Sequence, residues 1–228
     1  MNKILAKSNQ NGGCSLYEHS ISTMNVAKKL CEWAKIDEKH SSICLISSLF
    51  HDIGKAHHLF QNKLTKKDFD DKGYSHNILS AKIFMERVNV DGIRINDVKN
   101  IIAKAILLHH PANGDFEERT YSFFGPKDER LKYVTDDDIK ITDGFVDVFI
   151  NEYNTLAESL GYESRLSKNN SESETFTNFS FFKDNPSKMS NNHILNYTSG
   201  VLRFSDIISS SGDDIEKYTK PANNFNIS

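Results

Sequence analysis

The sequence predicts a mainly α-helical fold, a bundle of helices joined by irregular loops. Apolar residues recur at spacings of three and four in several stretches, which is the period of amphipathic helices. Capping residues precede these stretches, and glycine or proline follows several of them. With 228 residues, the chain suits one large domain with a substantial apolar core.

The first predicted helix follows a capping box made by Ser15 and Glu18. Its inward stripe comprises Leu16, His19, Thr23, Val26, Leu30 and Trp33. The second predicted helix covers about residues 42–53 and is apolar on nearly every side, as expected of a central buried helix. Gly54 ends it, so that the His51-Asp52 pair lies at its C-terminal end.

A polar, lysine-rich connection leads to the third predicted helix, which runs to about residue 88. Ser75 is its expected cap, and His76 lies in its first turn. Its core face comprises Leu79, Ile83 and Phe84. The histidine therefore lies at a helix end, beside a loop.

The fourth predicted helix begins after Asn96 or Asp97 and ends at the His109-His110 pair, because Pro111 cannot continue it. From 111 to 141 the chain is irregular, and we expect loops with a short β-hairpin among them. These two histidines also lie at a helix terminus.

A fifth helix is predicted at about residues 143–160. The segment 164–192 is rich in Ser, Asn and Glu and has little helical period, so it is interpreted as an insertion within the domain. Four phenylalanines offer it a means of docking on the bundle, namely Phe176, Phe179, Phe181 and Phe182.

The last predicted helix, about residues 192–210, puts Asp206 on the same inward stripe as Leu195 and Leu202. A buried carboxylate costs several kcal/mol unless it is paired or bound to a metal, and Arg203 is the candidate partner under the purely structural alternative. We therefore assign residues 1–211 to one domain and residues 212–228 to a linker-like tail.

Composition limits the functional classes. The 28 basic and 31 acidic residues leave a formal charge of −3, so no general basic field indicates nucleic-acid binding. The three cysteines lack CxxC spacing, which argues against a disulfide framework and a thiolate zinc site and favours the cytoplasm. The longest apolar stretch is too short for a membrane span, so we expect no membrane association.

Seven histidine and aspartate side chains recur at the ends or on the inward faces of these helices. They are His19, His51, Asp52, His76, His109, His110 and Asp206. Any one of these histidines by itself is more often a structural residue than a ligand, but together they form a mixed imidazole and carboxylate set that suits Fe, Mn, Co, Ni or Zn. Seven ligands are too many for one ion, and Asp52 is the natural bridge between two.

Several segments resemble one branch of the HD superfamily of metal-dependent phosphohydrolases, the HD nuclease domain of the type I CRISPR nuclease-helicase. The adjacent His51-Asp52 pair, which opens the run His-Asp-Ile-Gly-Lys-Ala-His-His-Leu-Phe-Gln, is its central motif. The others, in order, are Leu-Tyr-Glu-His ending at His19, Tyr-Ser-His ending at His76, Leu-Leu-His-His-Pro ending at Pro111, and Leu-Arg-Phe-Ser-Asp ending at Asp206. The resemblance covers about residues 14–211 and implies an HD-type helical bundle.

The resemblance also implies roles for these residues. One ion would be held by His19, His51, Asp52 and Asp206, and the second by Asp52, His76, His109 and His110. Lys55 would lie near the scissile phosphate, where it could offer a positive charge or a proton. His57 and His58 lie too far from the motif positions to be counted as ligands. Mg is a further alternative for the two divalent ions.

The activity that the resemblance implies is cleavage of single-stranded DNA during antiviral defence. A helicase domain or subunit and a crRNA-guided surveillance complex would supply the strand, since the 228 residues contain no GxxxxGK[ST] phosphate loop. Basic and aromatic residues that could contact the strand are Lys63, Lys66, Lys67, Lys72, Lys127, Arg130, Lys132, Tyr121, Phe123 and Phe124. Such a charge cluster is more often a solvated face.

Two other functions remain open. An HD-type hydrolase of nucleotides or cyclic nucleotides would use the same ligands on a smaller substrate. An inactive HD adaptor within a nucleoprotein assembly would need no turnover, although the full ligand set argues against it.

Overall fold

The computed structural model describes residues 4–7, 13–66, 76–89, 98–110, 146–160, 163–164, 193–213 and 215–216. Its helices are α1 (Leu16–Trp33), α2 (Glu38–Phe50), α3 (His58–Thr65), α4 (His76–Arg87), α5 (Val98–Leu107), α6 (Val146–Ser159) and α7 (His193–Ser211). The mainly α-helical prediction is confirmed.

Two short strands, β1 (Val88–Asn89) and β2 (Glu163–Ser164), pair antiparallel, with Val88 opposite Ser164. The hairpin expected within 111–141 and nearly all of the predicted insertion lie outside the described residues.

Helix α1 begins at the predicted capping box. The Ser15 hydroxyl accepts a hydrogen bond from the Glu18 amide, and the Glu18 carboxylate accepts one from the Ser15 amide, both at 3.1 Å. The predicted stripe holds along most of the helix. The prediction that Trp33 belongs to it is wrong, because this residue is 62% exposed. Trp33 is the last residue of α1, and the inward stripe ends before it.

Helix α2 is the buried central helix that the sequence predicts, although it begins at Glu38, behind the N-cap Asp37, and ends at Phe50. Its end therefore precedes Gly54. The chain continues into a turn of 3₁₀ helix, Ile53–Ala56, and Gly54 lies inside that turn. The His51-Asp52 pair consequently occupies the junction between α2 and the turn.

Helix α3 was not predicted, since the sequence indicated only a polar connection there. Its eight residues are too few to display a clear apolar stripe. The helix starts where the His57 ring accepts a hydrogen bond through Nδ1 from the Leu59 amide, at 3.2 Å. The side chain of Gln61 then ties α3 to the chain's beginning and to the 3₁₀ turn.

The helices pack around a single large core. Helix α1 lies against α2 and α7, α5 lies against α4, α2 and α7, and the 3₁₀ turn lies against α4. Phe50 and Phe84 meet edge to face in this core, with 5.7 Å between ring centroids. A smaller cluster joins Leu30, Ile208 and Ile215, so the beginning of the predicted tail packs on the bundle. Among the described helices, none has both the length and the apolar character that a membrane crossing requires.

Candidate metal centre

The predicted ligands come from five separate parts of the bundle. His19 lies in the second turn of α1, and His76 is the first residue of α4. The His51-Asp52 pair joins α2 to the 3₁₀ turn, the His109-His110 pair follows α5, and Asp206 lies in α7. The fold brings all seven side chains together into two groups that share one residue. The groups are His19, His51, Asp52 and Asp206, and Asp52, His76, His109 and His110.

Asp52 lies at the centre of both groups, with 1% of its side chain exposed. Its Oδ2 atom is 3.2 Å from Nε2 of His19 and 3.3 Å from Nε2 of His51. Its Oδ1 atom is 3.1 Å from Nε2 of His76 and 3.5 Å from Nε2 of His109. Each carboxylate oxygen therefore faces a different group.

The outer members complete each group. In the first, Oδ1 of Asp206 lies 3.1 Å from Nε2 of His19 and 3.6 Å from Nε2 of His51. In the second, the Nε2 atoms of His76 and His110 are 2.8 Å apart. Within each group the potential ligand atoms all lie within 4.8 Å of one another, as donor atoms around a single ion do.

Hydrogen bonds orient the buried rings. Nδ1 of His51 lies 2.7 Å from the carbonyl oxygen of Ser48, and Nδ1 of His109 lies 2.5 Å from that of Ile106. A carbonyl can only accept, so each Nδ1 carries the proton and donates it. In the neutral ring the lone pair is then on Nε2, which points at Asp52. For His19 the partner of Nδ1 is a side chain instead of a carbonyl: the hydroxyl of Ser209 lies 3.4 Å from it.

The residues present fit a divalent cation. Both oxygens of Asp52 and the Nε2 atoms of His51 and His109 are buried and make no well-formed hydrogen bond within the described part of the chain, although Oδ2 of Asp52 is ion-paired with Lys55. A buried polar atom that has no partner at all costs about 1–3 kcal/mol, so a cation in contact with Nε2 of His51 and His109 would stabilise them. These atoms are nitrogen and oxygen donors with lone pairs that converge, so the cluster could hold a metal of the borderline kind.

The protonation states of His76 and His110 also fit a metal site. Burial lowers the pKa of His76 to about 4 and that of His110 to about 3, so both rings are neutral at pH 7, as metal ligands must be. For Asp52, burial acts to raise the pKa, but the charges of His51 and Lys55 outweigh it and hold the pKa well below its usual value.

The charge of His51 is set by its carboxylate neighbours. Burial acts to lower its pKa, but the charge of Asp52 and the hydrogen bond with Asp206 outweigh burial and raise the pKa to about 10. The carboxyl of Asp206 responds in the opposite sense: hydrogen bonds from His19 and His51 outweigh burial and lower its pKa. In the metal-free protein His51 therefore carries an added proton at pH 7, which an ion bound to the first group would displace.

Lys55 lies beside the shared carboxylate, in the 3₁₀ turn. Its Nζ atom is 2.5 Å from Oδ2 of Asp52 and lies 5.6 Å from the centroid of the Phe60 ring. About 12% of the side chain is exposed, so the ammonium group is at the edge of the cluster. A substrate oxygen at that edge could reach it.

Three residues around the site were not identified from the sequence. The side-chain amide of Gln61 donates to the carbonyl of Lys55 at 2.7 Å, and the side-chain amide of Asn77 donates to the carbonyl of Leu107 at 2.7 Å. The hydroxyl of Ser209 faces the ring of His19. Asn77 follows the predicted ligand His76, which is a signal that could have been used. Gln61 is the last residue of the motif that begins at His51, which marks its position but not its role, because that role depends on Leu5, 56 residues away.

Arg203 does not pair with Asp206 in the structure. Both its Nε and Nη2 atoms donate to the carbonyl oxygen of Leu108, Nε at 2.9 Å. The purely structural alternative for Asp206 therefore loses its candidate partner. Asp206 faces His19 and His51 instead.

The other candidate residues are only partly described. His57 is buried at the start of α3 and belongs to neither ligand group. Lys63 and Lys66 are exposed at the end of α3. The remaining candidates for strand binding lie outside the described residues, namely Lys67, Lys72, Lys127, Arg130, Lys132, Tyr121, Phe123 and Phe124.

Comparison with known proteins identifies the family. The family model for the HD domain matches residues 16–145, which is more than half of the chain and includes every candidate ligand except Asp206. No curated protein and no solved structure matches the chain. The chain belongs to the HD domain family, which indicates a metal-dependent phosphohydrolase.

Proposed function

We propose that this chain is a two-metal nuclease that cleaves phosphodiester bonds of single-stranded DNA in type I CRISPR interference. The observation that carries the proposal is the division of the site around Asp52. One oxygen of this carboxylate faces His19 and His51, and the other faces His76 and His109. This division coincides with the two ligand sets that the resemblance to the CRISPR nuclease domain implies.

The proposed roles follow from the geometry. Asp52 would be shared by two divalent transition-metal ions, with Fe, Mn, Co or Ni favoured and Zn or Mg as alternatives. Such a pair supplies an activated water and neutralises negative charge on the phosphoryl oxygens. His19, His51 and Asp206 would hold one ion, and His76, His109 and His110 would hold the other.

Lys55 is the residue proposed to act on the phosphate. Its ammonium group lies at the edge of the site, so it can donate a hydrogen bond to a phosphate oxygen as negative charge develops there. The contact with Asp52 keeps the flexible side chain pointed at the centre. An ammonium group that the Asp52 contact already positions would need little reorganisation during the reaction.

The substrate and partners are inferred from the resemblance and from the surroundings of the site. His110 is exposed, and 15% of the His76 side chain and 17% of the Asp206 side chain are accessible, so ligands of both groups reach the surface. A polymer can lie across such an edge. Lys63 and Lys66 are exposed at the end of α3 and could contact phosphates. A helicase domain or subunit, recruited by a crRNA-guided complex, would supply the strand.

Digestion of circular single-stranded DNA tests the proposal. The purified chain, freed of metal, is incubated without ATP with Mn, Co, Ni, Fe, Zn or Mg in turn. We expect cleavage with at least one transition metal, none after chelation, and none with Asp52→Ala, which removes the bridge. Asp37→Ser is the matched control, since it removes an exposed carboxylate but keeps a residue able to cap α2.

Three results would contradict the proposal. Cleavage that persists in Asp52→Ala would move the activity away from this site. Hydrolysis of nucleotides or cyclic dinucleotides without cleavage of DNA would favour the smaller substrates. Failure to act on either class with every metal would favour the adaptor function.

A further inference from the structure

The C-terminal end of α5 is held by side chains rather than by regular helical hydrogen bonds. The Leu108 amide makes the last regular bond, to the carbonyl of Lys104 at 3.0 Å. The His109 amide is only within 3.5 Å of the Ile106 carbonyl. The His109-His110 pair therefore follows directly on the point at which the helix stops constraining the backbone.

Three successive carbonyls at this end accept from three different side chains. The carbonyl of Ile106 accepts a hydrogen bond from the ring of His109, and the carbonyl of Leu107 accepts one from the side-chain amide of Asn77. The carbonyl of Leu108 accepts from Nε and Nη2 of Arg203. These are the orphan acceptors that every α-helix leaves in its last turn.

The two external donors are neighbours of ligands. Asn77 follows His76 at the start of α4, and Arg203 precedes Asp206 by three residues on α7. Helices α4 and α7 thus hold the end of α5 from both sides, each beside a ligand that it carries. The planar guanidinium, with two donors on one acceptor, fixes direction as well as distance.

We infer that Arg203 is a positioning residue for the second ligand group: by holding the Leu108 carbonyl, it places His109 and His110 opposite His76. Asn77 assists from the other side through the Leu107 carbonyl. The inference rests on the proposed function in that it takes the two ligand groups to be ion sites. Arg203 itself belongs to neither ligand group.

The expected consequence is a selective loss of one ion. The first group is carried by α1, by the end of α2 and by Asp206, which shares α7 with Arg203 but faces His19 and His51 rather than the Leu108 carbonyl. Arg203→Met keeps an unbranched stem but removes both donors. It should weaken the second ion by about 10- to 100-fold, the usual cost of removing a group that orients metal ligands, and leave the first ion's affinity unchanged.

Titration of the metal-free full chain with Mn²⁺, followed by calorimetry and electron paramagnetic resonance, tests this. Wild type should bind two ions and show a spin-coupled spectrum. Arg203→Met should bind one ion tightly and show the uncoupled six-line spectrum until the second site fills. Arg203→Lys, which keeps the charge and one flexible donor, should lie between them. Lys28→Met removes an exposed positive charge from α1 and should behave as wild type.

The outcomes separate this inference from the proposed function. A wild-type isotherm for Arg203→Met, or equal weakening of both ions, would overturn the positioning role while the two-metal nuclease stands. If wild type binds two ions but does not cut DNA, the proposed nuclease function is overturned. The positioning role is then still decided by the titration of Arg203→Met. Wild type that binds fewer than two ions would overturn both. If Arg203→Met does not fold, Asn77→Ala must produce the selective loss of the second ion, or the inference fails.

Discussion

Gly54 occupies a place in the 3₁₀ turn where no side chain fits. A Cβ atom there would lie 2.2 Å from the carbonyl oxygen of His76 and 2.9 Å from the amide nitrogen of Ser80. Its own amide donates to the Ser80 hydroxyl at 2.9 Å, so the turn carrying Lys55 is in direct contact with the helix carrying His76. This close approach links two parts of the site.

Gly54→Ala should therefore destabilise the fold by about 1–3 kcal/mol, because the turn must move away from α4. Thermal unfolding followed by circular dichroism measures the loss, and metal affinity should fall with it. Gly200→Ala is the control: nothing lies within 4 Å of its Cβ position in α7, so the exchange should raise stability by about 0.5–1 kcal/mol. Equal stability of the two variants would contradict the contact.

The proton on His51 predicts a dependence of stability on pH in the metal-free protein. Its pKa rises from about 6.5 in the unfolded chain to about 10 in the folded protein, because Asp52 and Asp206 outweigh burial. The associated stabilisation is fully present below pH 6.5 and is lost as the pH rises through 10.

Between pH 7 and 10, the free energy of unfolding of the chelated protein should fall by about 1 kcal/mol per pH unit from this group. Urea unfolding at several pH values measures the slope. His51→Gln, which has no titrating ring, should show a shallower slope. A slope that is the same in both proteins would show that His51 is not the group responsible.

At the scale of elements, α3 and the first residues of the chain support each other through one side chain. Gln61 donates through Nε2 to the carbonyls of Leu5, at 2.9 Å, and Lys55, at 2.7 Å, and its Oε1 atom accepts from the Leu5 amide. Residues 4–7 in turn pair with the start of α1 through the amides of Ala6 and Leu16. Gln61 thus connects the beginning of α1 with the turn that carries Lys55.

Gln61→Ala should speed amide hydrogen exchange at Ala6 and Leu16 and cost about 1 kcal/mol, since it removes three hydrogen bonds to part-buried backbone groups. Thr65→Ala on the same helix is the control, because the exposed Thr65 hydroxyl bonds carbonyls of α3 itself. Unchanged protection of both amides in Gln61→Ala would contradict the supporting role.

At the scale of the whole molecule, ion binding should stabilise the entire fold. The ligands come from five segments, so an ion in either group joins parts of the chain that the unfolded state does not keep together. Mn²⁺ at 100 times its dissociation constant should stabilise the protein by about 2.7 kcal/mol and raise Tm accordingly. Scanning calorimetry with and without chelator measures the difference. Asp52→Ala should show almost no shift, and a shift equal to that of wild type would argue against the shared ligand.

Helices with a clear apolar stripe or a strong cap were predictable. Both ends of α2 differ from prediction. The helix starts at Glu38 because Asp37 caps it, a short-range signal that the prediction did not use. It ends before Gly54 because the turn approaches α4, which is a matter of packing. The short α3 lacked both a stripe and a strong cap signal. Its position depends on Gln61, whose partner Leu5 is 56 residues away.

The sequence by itself determined the mainly α-helical class and which histidines and aspartates stand at helix ends, since capping and periodicity depend on neighbours along the chain. Only the tertiary structure decided how those residues meet: which oxygen of Asp52 faces which group, and that Arg203 holds the Leu108 carbonyl, 95 residues away, instead of pairing with Asp206. The physical reason is that packing sets these contacts, and a helix that is amphipathic in sequence fixes its buried face but not its partner or the atom that each side chain reaches.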